Sequence, residues 1–133
     1  MASLQALYRA EVVGDDLAKV AAELEADASL PEEVRTYARL LVGFVAEHQE
    51  EIDRQLAEAL TRWDLKRVAV VDRCVLRIGA GELLYEPEVP ARVILDEAIE
   101  IAKQFGSGES GRFVNGVLDR IARAHRGEER EPA

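Results

Sequence analysis

The chain has 133 residues, 48% of them hydrophobic, and a formal net charge of −9, enough for one domain with its own core but too acidic to coat nucleic acid by bulk attraction. No apolar run approaches the roughly 20 residues of a membrane span, and the start does not resemble a signal peptide. The lone Cys74 excludes an internal disulfide and reads as a small buried thiol in a soluble cytoplasmic protein.

Apolar residues recur at helical spacing along nearly the whole chain. Leu4, Leu7 and Tyr8 form a first stripe, which Gly14 and the Asp15–Asp16 pair end. Leu17, Val20, Ala21 and Leu24 form a second, at the i, i+3, i+4, i+7 spacing of one buried face. Ser29 and Glu32 have the spacing of a capping box, and Pro31 suits a first helical turn. Val34, Ala38, Leu41, Val45, His48, Ile52, Leu56 and Leu60 then predict one long helix, or two with a break near His48. After a junction at Trp63 and Asp64, Leu65 to Leu84 reads as a largely buried helix; Gly79 and Gly81 within it predict a close helix approach or a kink. Pro90 opens a helix carrying Ile94, Ala98, Ile101 and Phe105. Ser110 is the expected N-cap of a last helix, with Val114, Val117, Leu118 and Ile121 buried. No strand or internal repeat is evident. The predicted fold is all-α, a single-domain bundle of about six to seven helices over residues 1–126, followed by a flexible acidic tail at 127–133.

Charge is unevenly placed. Residues 1–60 carry five basic and thirteen acidic side chains, whereas residues 61–126 carry eleven and ten. In the last helix Arg112, Arg120, Arg123 and Arg126 face only Asp119. Such a row either complements the helix dipole at its C-terminus or forms a strip that contacts phosphate.

Two apparent motifs carry no chemistry. Gly106, Gly108 and Gly111 spell G-x-G-x-x-G, but a dinucleotide fingerprint needs a preceding strand, and a helix precedes it here. His48 and His125 have no cysteine or histidine at metal-ligand spacing; the first reads as a half-buried histidine, the second as an exposed cation at a helix end. Asp96, Glu97 and Glu100 read as a solvated face or dipole partners. With no phosphate loop, serine elbow or paired catalytic carboxylates, the residues point to a helical binding module rather than an enzyme, with no cofactor and no metal.

The most specific stretch is D-E-A-I-E-I-A-K-Q-F-G-S-G-E-S-G-R-F-V-N-G-V-L-D-R-I, residues 96–121. It joins two amphipathic helices through a glycine–serine turn and sets Arg112, Phe113 and Asn115 at the start of the second, where free backbone amides can meet an anion. Together with L-Q-A-L-Y at residues 4–8, V-D-R-C-V-L-R-I at residues 71–78 and the Glu82–Leu83 and Val89–Pro90 pairs, it resembles the NusB family of bacterial transcription antitermination factors. The resemblance spans most of the chain.

It implies a compact helical fold that binds single-stranded box A RNA jointly with the ribosomal protein NusE, within an RNA polymerase complex that reads through terminators, notably in ribosomal RNA transcription. On that resemblance Tyr8 and Phe113 stack on unpaired bases or pack in the core and Arg112 contacts phosphate; Asn115 at the helix opening and Arg120 and Arg123 of the basic strip complete the candidate RNA-binding set. Asp72 faces the ribosomal-protein partner, unless it pairs locally with Arg73 or Arg77, and Glu109 tunes affinity by repelling phosphate. The chain departs from the family where an arginine-rich R-x-x-A-R-E usually precedes L-Q-A-L-Y and Met1, Ala2 and Ser3 stand here, and at Asp96, commonly asparagine. Two further readings stay open: a protein-docking or homodimerising module with feeble RNA binding, and an accessory domain like that of ribosomal RNA cytosine methyltransferases. No DNA or membrane partner is expected.

Overall fold

A computed structural model describes residues 2–61 and 64–127. Among them are six α-helices: α1 (Ala2–Val13), α2 (Leu17–Glu25), α3 (Glu32–Ala59), α4 (Val70–Tyr85), α5 (Ala91–Phe105) and α6 (Ser110–His125), with a short 3-10 turn at Leu65–Arg67. The all-α expectation holds, and no strand occurs among the described residues. Trp63 and most of the expected tail lie outside them.

α4 is the central rod, packing against α1, α3, α5 and α6. Its sequence explains why: Cys74, Leu76, Ala80 and Leu83, on more than one side of the helix, are all buried. At Gly79 the Leu118 side chain of α6 packs into the space a Cβ would take. A methyl group there would stand 2.6 Å from Leu118 Cδ1, and since α4 runs unbroken through it, the glycine serves close approach rather than a kink. Burial raises the Cys74 thiol to about 11, as desolvation disfavours the thiolate. α3 is one helix interrupted at His48, whose backbone is non-helical. There the imidazole stacks on Tyr85 of α4 with ring centroids 3.9 Å apart.

Three local expectations are corrected. Ser29 does not cap α3. Its hydroxyl donates to Asp27, and Pro31 takes the cap position without a side-chain bond. The helix expected from Leu65 begins at Val70, because Asp64 accepts from the Lys66 amide and opens a separate 3-10 turn. At α6 the cap position is Glu109; Ser110 lies inside the helix, buried, its Oγ accepting from the Ser107 amide at 2.9 Å.

Ion pairs tie the helices together across the core's edge. Arg77 of α4 donates to Asp53 of α3 at 2.9 and 3.1 Å and to Glu11 of α1 at 3.1 Å, and Arg73 donates to Glu11 at 2.8 Å. Both arginines are thereby committed away from Asp72.

Candidate nucleic-acid interface

The α5–α6 turn is held from within. At Gly106 a side chain would collide with the Ser110 hydroxyl and the Ala102 carbonyl, so the chain can reverse there only without a Cβ. Gly111 lets the Lys103 stem cross the start of α6, where an added methyl would lie 3.0 Å from Lys103 Cγ. The turn therefore presents Glu109, Arg112 and Asn115 on a fixed platform.

At about 100° per residue, Arg112, Gly116, Arg120 and Arg123 project along one exposed side of α6. Phe113 flanks them on one edge and Asn115 on the other. Two grooves border this ridge. The first, about 410 Å³, is lined by Arg112, Phe113, Gly116, Val117 and Arg120 of α6 together with Leu60 and Thr61 at the end of α3. The second, about 320 Å³, is lined by Ile99 and Lys103 of α5 with Gly108, Glu109, Gly111, Arg112 and Asn115. Arg112 belongs to both. Leu60, Thr61 and Lys103 escaped the sequence reading: the first two lie some fifty residues from α6 with no motif around them, whereas Lys103, a lone cation just before the turn, was legible.

The Phe113 ring packs on the core, as one of its two readings expects, while it lines the first groove and stays half-buried. Arg112 is exposed and makes no hydrogen bond or ion pair among the described residues. The other arginines are engaged. Arg120 donates to the Ala59 carbonyl at 2.8 Å, fastening α6 to the end of α3, and Arg123 pairs with Asp119 at 2.8 Å. The Arg126 guanidinium donates to the carbonyls of Leu83, Glu82, Glu86 and Val89, gathered where α4 ends and the chain turns toward α5. Arg126 is thus a structural cap for a neighbouring helix.

Tyr8 stands on α1, 42% exposed, and lines neither α6 groove. The helix that bears it packs on α2, α3 and α4, whereas α6 packs on α3, α4 and α5. Asp72 sits in the first turn of α4, 8% exposed, and its Oδ1 has no hydrogen-bond partner among the described residues. The local ion pair with Arg73 or Arg77 does not form.

Residues 1–123 match the profile of the NusB family. The chain belongs to the NusB family. It is 50% identical over 121 residues to the transcription antitermination protein NusB of Sorangium cellulosum (strain So ce56), covering 91% of this chain and 86% of that one. Its fold is similar to NusB of T. maritima, with a TM-score of 0.86, 40% identity, and coverage of 96% of this chain and 91% of the other. It is also similar to NusB in a crystal structure of the antitermination factors NusB and NusE with double-stranded RNA, at a TM-score of 0.82, 27% identity and 92% coverage of both chains. These relatives bear the names of regulatory factors, and NusB-family membership carries no enzymatic activity.

Proposed function

We propose that this chain is a transcription antitermination factor that binds single-stranded box A RNA at the opening of α6, jointly with a NusE-type ribosomal protein, and so promotes read-through by RNA polymerase in ribosomal RNA transcription. The observation that carries this reading is the Phe113 ring lining a groove between Arg112 and Arg120. An unpaired base stacks on such a ring while the arginines meet phosphates on either side. The second groove, with Asn115 and Lys103 across from Glu109, supplies amide and cationic donors for a neighbouring nucleotide, and Glu109 limits affinity by repulsion. Tyr8 acts on a separate stretch of strand, and Asp72, in the first turn of α4, faces the protein partner.

One observation favours a weaker RNA role for the same fold: Arg120 and Arg123 already have partners, leaving fewer cations for phosphate. Fluorescence anisotropy of labelled box A RNA, with and without NusE at two salt concentrations, decides between them. Tight, salt-sensitive binding that NusE strengthens and a scrambled RNA lacks supports antitermination. Absence of binding with NusE present leaves a protein-docking module.

A further inference from the structure

On the flank formed by the start of α1, α3 and α5 lies a third groove of about 470 Å³, sharing no lining residue with either α6 groove. Its floor is apolar, formed by Leu41, Val75, Ile94 and Ile101. Its charged lining residues are Glu33, Glu82 and Glu97, with no lysine, arginine or histidine among the described residues. The Tyr37 hydroxyl donates to the Glu82 carboxylate at the wall, and burial raises the pKa of that carboxyl. Val34 and Tyr37 on its lining continue to Leu40 just outside it as an exposed stripe three residues apart on α3, and Val93, also on the lining, stands 54% exposed on α5. An exposed apolar stripe beside a concave apolar floor marks an interaction surface.

We propose that this groove docks a protein segment that inserts an apolar side chain and flanks it with lysine or arginine. Three alternatives fit less well. RNA would meet carboxylates where phosphate needs cations. A second copy in a two-fold pair would set this acidic lining against the same acidic patch, in a chain already at −9. A small molecule filling the cavity would leave Leu40 uncovered. A basic amphipathic helix matches both the apolar stripe and the acidic lining, as helix-in-groove recognition requires. This inference is independent of RNA binding at α6.

The test uses a labelled synthetic helical peptide with leucines on one face and lysines on its flanks, and a twin with glutamates in place of the lysines. The lysine peptide should bind the full chain saturably, and its twin about tenfold or more weaker. Val93→Asp should weaken the lysine peptide by about tenfold while box A binding and the melting temperature hold. Glu33→Lys with Glu97→Lys should invert the preference between the twins, a readout that misfolding does not mimic. The proposal is overturned by absence of saturable binding, by equal affinity for the twins, by a preference that the double reversal leaves unchanged, by box A RNA competing for the groove, or by a dimer in sedimentation that Val93→Asp dissociates. Loss of RNA binding at α6 alone would sink the antitermination reading and leave this one standing.

Discussion

The two ends of α6 carry the same residue type and use it in opposite ways. At the opening, Arg112 stands in solvent between two grooves, beside a half-buried Phe113 and an exposed Asn115. At the close, Arg126 turns inward onto the carbonyls that end α4, and between them Arg120 and Arg123 are held by Ala59 and Asp119. What separates the ends is whether acceptors lie within reach. Near the close of α6 the end of α4 sets four carbonyls within reach of Arg126; near its opening Arg112 bonds to no acceptor among the described residues. A row of arginines on one helix is therefore not yet a phosphate-binding strip.

The sharpest way to break this contrast is Arg126→Ala. It should cost about 2–4 kcal/mol of stability, read from urea denaturation, because several carbonyls lose a charged donor at once. RNA affinity measured well below the melting temperature should stay within about twofold; a parallel collapse of affinity would erase the distinction between the ends. Phe113→Ala should do the reverse. RNA binding should weaken by roughly 1–3 kcal/mol, and unfolding should shift by less, since only part of the ring is buried. Equal losses in both would assign the ring to the core alone. A smaller effect separates the arginines themselves: Arg112→Ala should lower the salt slope of RNA binding by about one, whereas Arg123→Ala should leave it unchanged. Equal slopes in the two variants would mean that the Asp119 pair opens on binding.

The smallest expected effect concerns Glu82, which lies beside the structural end of α6 and is partly compensated by Arg126. Desolvation raises its folded pKa above the unfolded value of 4.5, so its contribution to stability is complete below that value and lost as pH rises through the folded pKa. Glu82→Gln should therefore gain on the parent as pH increases from about 4 toward neutrality, and Arg126→Ala should steepen the parent's decline. Superimposable pH curves for parent and Glu82→Gln would show that the carboxylate is adequately solvated through Tyr37.

The sequence made the helices legible because burial acts at fixed intervals. The stripes at Leu17 to Leu24, Ile94 to Ile101 and Val114 to Ile121 each face the core. Tyr8 broke the pattern: at the first stripe's edge it is exposed, a distinction that spacing one residue from Leu7 cannot make. The caps failed for a different reason. Ser29 and Ser110 both had suitable spacing, but Asp27 and the Ser107 amide captured their hydroxyls first, and local competition of this kind leaves no trace in periodicity. At the candidate interface, Arg112 and Phe113 were readable from the turn that precedes them. The roles of Arg120 and Arg126 were not, because Ala59 and Leu83 lie 61 and 43 residues away and a backbone carbonyl has no sequence signature. Asp72 shows the converse: the local ion pair weighed as its alternative role does not form, because Glu11 and Asp53 hold both neighbouring arginines.

The wedge of the Ser110 hydroxyl beneath Gly106 has a thermodynamic consequence. On the proposed RNA role, a turn already stitched before the strand arrives loses little conformational freedom on association, so the ordering cost that flexible loops incur falls away. Ser110→Ala would keep Arg112, Phe113 and Asn115 in the chain but loosen the turn that fixes them, and on the proposed RNA role calorimetry would register weaker binding through a less favourable entropy.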